Sequence, residues 1–390
     1  MKFEVIKRSH VKRNILIGVL VVLILTAIIL TFTRAKYKIT ESIPLVNGTI
    51  NYELSDFNLF GAYIQTEGDN YTQVDEIPTS GYEFNVEKSY CTVNDENINA
   101  TLNYDMETQT LSVVPLTTKG TKCYLYFDEQ ASGGDYILAG DNAPDGETTD
   151  WTGGTTYYYT GNPNNWVQFG GFWWRIIRIN GDGTIRLIYN GTNATDTGTI
   201  GNVRFNIKSN DTTYVGFKYS DRQTHGTDTN STILDNLNNW YQNNLLSLAN
   251  QIDGNAGFCG DRRQGSGSNY AAASRGNSPS LSCLTEDLYT IANSTIGNKS
   301  LSYPIGLITY DEIVLAGGSS SYFNTGGSYW TMTPYGFSDN AATVFCMYFV
   351  GALVNEKVDQ LRGVRPVINL SANASLTGSG TTTDPFVVVS

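Results

Sequence analysis

Residues 15–33 read ILIGVLVVLILTAIILTFT, an apolar run with no charged residue in it. At about 1.5 Å per residue, a helix of this length spans roughly the 30 Å hydrocarbon core of a bilayer. The run therefore predicts a transmembrane helix, with the lipid bilayer as its partner. Lys7, Arg8, Lys12 and Arg13 precede it, while Arg34, Lys36 and Lys38 follow. The excess of basic residues on the N-terminal side predicts an N-terminus inside and a C-terminal ectodomain outside. A cleaved signal peptide is the alternative, but it calls for a shorter apolar region and a small-residue cleavage site. Thr33-Arg34-Ala35 fits that poorly, and no prepilin-like processing site is present. The expected order is a basic cytoplasmic tail (1–14), the membrane helix (15–33) and a stalk (34–56), giving a single-pass cell-membrane protein with an extracellular face.

Charge divides along the chain in the same sense. Through Lys38 there are eight Lys/Arg against Glu4, a balance of +7, whereas the remainder holds 17 Lys/Arg and 36 Asp/Glu, a balance of −19. A polyanion of that size repels phosphate backbones, so nucleic acid is excluded as a partner. Aromatic residues reach 12%, with 25 Tyr, against only 16% charged residues. Together with abundant Gly, Asn and Thr, that composition favours strands and tight turns.

Five cysteines follow the apolar run. Outside the cytoplasm they persist as disulfides. Cys91 closes one strand-like segment and Cys123 opens another, which pairs them. Cys259 and Cys283 flank a Gly/Ser/Asn-rich loop and form the second expected bridge. Cys346, in the apolar segment VFCMYFV, is expected to be a buried free thiol. With no C-x-x-C and only His225 beyond the apolar run, a His/Cys metal site is not expected.

Alternation at Tyr82, Phe84 and Val86, at Leu111 and Val113, and at Tyr124 and Tyr126 predicts short strands over 57–130. Those strands and the Cys91–Cys123 pair suggest a small immunoglobulin-like sandwich. After the linker DEQASGGD (128–135), GGFWWRIIRINGDGTIRLIYNG (170–191) reads as a β-hairpin around Asn180-Gly181-Asp182-Gly183, since such residues tolerate positive φ. The full calcium-loop pattern is absent there. STILDNLNNWYQNNLLSLANQI (231–252) predicts a helix with Thr232 and Asp235 as its capping box and a stripe at Leu234, Leu237, Tyr241, Leu245, Leu248 and Ile252. Thr309 and Glu312 make a second capping box, with Gly317 as the stop. Strands are expected over 328–334, 343–350, 363–370 and 385–390. The fold class expected is α+β.

Taken in order, GFWWRIIRINGDGTIRLIY, IGLITYDEIVLAGG, YWTMTP and GVRPVINL resemble a family of bacterial exported proteins. The C-terminal domain of that family is similar to the C-type-lectin fold shared by formylglycine-generating (sulfatase-modifying) enzymes and the variable proteins of diversity-generating retroelements. The resemblance covers residues 135–390, and Gly363-Val364-Arg365-Pro366 is its most specific match. It implies fold more than activity. No segment matches the reactive-cysteine motif of the formylglycine-generating enzymes, and the apolar neighbours of Cys346 would leave it inert. Asn162-Pro163-Asn164-Asn165-Trp166 superficially resembles a lectin calcium motif but precedes the hairpin, and reads as a turn. Calcium is admitted by the resemblance alone, so no cofactor or metal is expected.

No G-x-S-x-G, phosphate-binding loop or nucleotide fingerprint occurs, and no catalytic set is identified. Arg365 is expected to be a structural ion-pair partner of Asp311 or Glu312, with Gly363 and Pro366 structural beside it. In the lectin-like fold the ligand side would carry Tyr329, Tyr335, Phe337, Asp339, Asn340 and Asn355, a set of aromatic and amide groups suited to glycans or peptides. The function expected is a membrane-anchored, non-enzymatic cell-surface binding or adhesion protein with an unknown extracellular glycan or protein ligand. The alternatives are an exported enzyme of the formylglycine-generating type and a structural component of the cell envelope.

Overall fold

The computed structural model describes residues 57–389, apart from 67, 79–80, 106–109, 115–119, 130, 196–197 and 277. The described chain is mostly β, with 41% strand and 14% helix. It forms two units that divide after Glu129.

The first unit contains β1 (Phe57–Gln65), β2 (Tyr71–Val74), β3 (Tyr82–Val93), β4 (Glu96–Ile98), β5 (Thr101–Asp105), β6 (Thr110–Val114) and β7 (Thr121–Glu129). Five of them form a sheet in the order β2-β1-β7-β3-β4, with β1 and β7 parallel, while β5 and β6 make a separate hairpin. Along β7, Thr121, Cys123, Leu125 and Phe127 are buried and alternate with the more exposed Lys122, Tyr124, Tyr126 and Asp128. Successive side chains of a strand point to opposite faces, so the buried row meets the hairpin's Leu102, Tyr104, Leu111 and Val113 in one core. Tyrosines line the other face of the sheet, where Tyr63 stacks on Tyr126 with ring centroids 4.8 Å apart.

The second unit begins with a helix over Gly133–Ala139 and then β8 (Gly146–Thr149), β9 (Thr155–Tyr158), β10 (Trp166–Phe169), β11 (Phe172–Ile179), β12 (Ile185–Gly191) and β13 (Asn202–Arg204). Two short ladders follow, β14 (Lys218–Tyr219) with β15 (Thr229–Asn230), and β16 (Phe258–Cys259) with β17 (Leu288–Tyr289). The last strands are β18 (Tyr329–Ser338), β19 (Ala341–Met347), β20 (Leu353–Lys357), β21 (Leu361–Gly363), β22 (Val367–Leu370), β23 (Ser375–Thr377) and β24 (Phe386–Val389). The larger sheet runs β22-β12-β11-β10-β24-β23, with β9 and β8 attached beside β11; the smaller runs β13-β21-β18-β19-β20. One core joins both sheets and the helix Thr232–Asn244, from Trp174 and Leu187 through Leu237 and Tyr241 to Trp330 and Val344.

The β11–β12 hairpin forms as its turn residues dictate. The Asn180 N–H donates to the Thr184 carbonyl at 2.8 Å, and Gly183 takes a φ of +82°. A Cβ on Gly154 would lie 2.5 Å from the Gly181 carbonyl, so glycine is needed where these two backbones meet. The Thr309–Glu312 capping box is present, and Gly317 takes a left-handed φ of +107° after the helix Tyr310–Leu315.

Two arginines of the hairpin and one glutamate of that short helix meet in the interior. Glu312 Oε1 lies 3.0 Å from Arg178 Nε and 2.5 Å from Arg186 Nε, the latter an ion pair without hydrogen-bond alignment. Arg178 Nη1 also reaches Asp150 Oδ2 at 3.4 Å, and these side chains are at most 1% exposed. Burial would raise the Glu312 pKa, but Arg186 and Arg178 outweigh it and hold the carboxyl below its ordinary 4.5. Burial pushes Arg186 down to about 10, so it stays charged at neutral pH.

Several expectations are corrected here. The class is β-rich rather than α+β with a membrane helix, immunoglobulin-like sandwich and C-type-lectin-like domain. Among the described residues no helix is long and apolar enough to cross a membrane, so the single-pass cell-membrane localisation is not supported. Residues 15–33, on which that anchor rested, lie outside the described residues, and hydropathy fixes how apolar a run is without fixing its conformation. Both disulfides are formed. However, Cys91–Cys123 joins directly opposed residues of neighbouring strands β3 and β7, whereas the immunoglobulin bridge crosses between two sheets. The long helix is capped by Ser231 rather than Thr232 and breaks at Leu245 into a 3₁₀ turn over Leu246–Gln251, which lowers the helical content. Arg365 pairs with neither Asp311 nor Glu312; its Nε donates to the Tyr189 carbonyl at 2.9 Å and its guanidinium lies 5.0 Å from the Tyr329 ring centroid.

Replacing Glu312 with Ala should cost about 3–5 kcal/mol, because two buried guanidiniums lose their shared partner; urea denaturation measures this. The sign with pH follows from a depressed carboxyl pKa. The stabilisation is present above pH 4.5 and is lost as pH falls through the folded value. Glu312→Gln should therefore flatten part of the decline in stability below pH 4.5.

Candidate functional site

The six residues expected to face a ligand do not converge. Tyr329 is fully buried, with its hydroxyl donating to the Phe323 carbonyl at 2.8 Å, because both faces of β18 and β19 are covered. Tyr335 is half-buried, its ring 5.1 Å from that of Phe345, and Phe337 is half-buried against the core. Asp339 and Asn340 form the exposed β18–β19 turn, with φ of +50° and +56°. Asn355 is exposed on β20 opposite Phe345. Phe345 stands four residues along β19 from the turn-flanking Ala341, roughly 13 Å at the rise of a strand. Neither of the two best-formed cavities of the described residues is lined by any of the six.

The larger of those cavities is an open groove of about 460 Å³ at the β10–β11 turn. Phe169 and Phe172 pair across Gly170-Gly171, whose φ values of +61° and +78° make the tight two-residue turn that suits a twisted hairpin. Gly170 also lies so close to the broken helix that a Cβ there would stand 2.8 Å from Leu245 Cδ2. The tail of that helix contributes Leu248 and Gln251, and β24 contributes Val387 and Val388.

Register sets what the outer face of the sheet presents. Trp166 opposes Arg175, Gln168 opposes Trp173, and Val387 opposes Gln168. Along β10, half-buried Trp166 and Gln168 alternate with buried Val167 and Phe169. Trp166 and Trp173 contact edge to face, with centroids 6.0 Å apart. Arg175 fixes this row. Its guanidinium lies 4.1 Å from the Trp166 ring centroid and 4.7 Å from that of Tyr322, its Nε donates to Asn165 Oδ1, and its Nη2 donates to the Pro163 carbonyl at 2.8 Å. Burial pushes the Arg175 pKa down to about 10, which leaves it charged at neutral pH.

The groove walls are aromatic and aliphatic, with the amides of Gln168 and Gln251 as polar groups. Neither amide has a side-chain hydrogen-bond partner among the described residues, and no charged side chain lines the groove. Flat apolar surface beside uncommitted amides matches a neutral, hydroxyl-bearing ligand. Gly170-Gly171 between WVQF and FWWR was the signal that would have found this first hairpin in the sequence. Nothing comparable marks Leu248, Gln251 or Val387.

Cys346 is fully buried, and burial pushes its thiol up to about 12, so at neutral pH it is not the thiolate that nucleophilic attack requires. Among the described residues no group of three or more His, Cys, Asp or Glu side chains is placed to hold a metal ion. Compared with family models, with curated proteins and with solved structures, the chain matches none.

Two outcomes follow. Cys346 should resist alkylation by iodoacetamide at pH 7.5 in the folded chain and react fully in urea, as mass spectrometry will read. Arg175→Met should leave the buried Asn165 Oδ1 and the half-buried Pro163 carbonyl without this donor at a cost of about 1–3 kcal/mol, together with a red shift of tryptophan emission as Trp166 loosens.

Proposed function

We propose that the protein is an exported binding protein that takes a neutral saccharide into the groove of its second unit. The observation that carries this reading is the groove itself, in which Phe172 and Trp173 stand beside the amides of Gln168 and Gln251, which have no side-chain hydrogen-bond partner among the described residues. Its volume of about 460 Å³ suits a small ligand, since such pockets run from about 300 to 1,000 Å³. Two disulfides support export, because such bonds persist outside a reducing cytoplasm. The turn at Gly170-Gly171 and the clamp of Arg175 on Trp166 hold the surface before a ligand arrives, which lowers the ordering cost of binding.

Titration calorimetry of the purified chain against gluco-, manno- and N-acetylglucosamine oligosaccharides tests the reading. One series should bind, and Trp173→Ala should weaken it about tenfold, equivalent to about 1.4 kcal/mol of lost stacking. Failure of the whole panel to bind, or identical affinities for the parent chain and the variant, would remove the proposal.

A further inference from the structure

A second cavity of about 260 Å³ lies in the same unit, lined by Asp145, Tyr159, Thr160, Asn162 and Asn164 among others. One stretch of chain serves both cavities. Asn162, Pro163 and Asn164 line the second, and Gln168 and Phe169 line the first, with Trp166 midway between them. We infer that the two cavities are the ends of one track along the outer face of β10, and that the ligand is a linear neutral oligosaccharide rather than a single sugar. This inference rests on the saccharide reading of the groove.

The distance suits a chain of sugars. Asn164 stands two residues before β10 and Gln168 is its third residue; four residues at the rise of a strand span at most roughly 13 Å, the length of two to three linked pyranose rings at about 5 Å each. The ground between is aromatic, since Trp166 lies on the outward row with Gln168 and touches Trp173. It is also rigid. Arg175 grips Asn165 and the Pro163 carbonyl, and Asn165 Nδ2 donates to the Ile176 carbonyl at 2.7 Å, so the segment leading into β10 is pinned on both sides. The far cavity is polar and suited to sugar hydroxyls. Asn164 Nδ2 makes one hydrogen bond of 3.2 Å to Asn142 Oδ1, and the Asn162 side chain has no partner among the described residues. Both asparagines are exposed.

Charge narrows the class further. Among the described residues no Lys or Arg side chain lines either cavity, and Asp141 and Asp145 stand at the far one. Uronic acids and sulfated or phosphorylated glycans would meet repulsion there.

The test is calorimetry of the purified chain with the series that binds, from the monosaccharide to the hexasaccharide. Affinity should rise with length up to about four residues and then level off. The double variant Asn162→Ala/Asn164→Ala changes only exposed side chains. It should weaken the tetrasaccharide about tenfold while leaving the disaccharide within twofold of the parent chain, whereas Trp173→Ala weakens both. Unchanged melting temperature shows that the double variant is folded. Equal affinity for disaccharide and tetrasaccharide, or equal loss of both in the asparagine variant, overturns the track and leaves the groove reading standing. No binding at any length overturns both.

Discussion

The second unit is organised around the buried contact of Glu312 with Arg178 and Arg186. Desolvating three charges is costly, and mutual attraction offsets that cost only in a closely held geometry. The geometry is held from both sides. The hairpin turn fixes the two arginines on adjacent strands, and the capping box fixes Glu312 in the first turn of its helix, where Oε2 also accepts from the Thr309 N–H at 2.8 Å. The triad thereby joins the larger sheet to the segment that leads into β18. Asp150 extends it by accepting from the N–H of Gly181 at 2.8 Å, which secures the turn that sets the arginines in register.

Features written in contiguous residues were legible in the sequence. Asn180 to Gly183 made a turn, Thr309 and Glu312 capped a helix, and four cysteines paired across the segments that carry them. Apart from those cysteine pairs, 32 and 24 positions apart, features that depend on distant residues were not. The partner of Arg178 stands 134 positions away. Tyr329 was expected on a ligand side from the lectin-like resemblance, but both faces of its strand are covered and it is buried. Arg365 was expected beside a carboxylate because buried charges usually are paired. Backbone and side-chain carbonyls and the face of Tyr329 surround it instead.

The groove shows why binding surfaces are harder to read than cores. Its walls come from a glycine turn, the 3₁₀ tail of a broken helix and the last strand, three segments with no common periodicity. What unites them is sheet register, which sets Trp166, Gln168, Trp173 and Val387 on one face although Val387 lies more than two hundred residues from the others. The break at Leu245 matters equally. An unbroken helix would carry Leu248 onward along the axis, whereas the tighter turn swings it over Gly170.

In the first unit, β1 and β7 are the first and last described strands, and they lie side by side and parallel over Phe57–Ile64 and Thr121–Phe127. Tension applied through the two ends of this unit would load their shared ladder in shear, so its hydrogen bonds resist together rather than unzipping one at a time. On the other side of β7, the Cys91–Cys123 bond ties that strand covalently to β3. Such a unit would extend only once the whole β1–β7 ladder gave way, whatever load its ends carried.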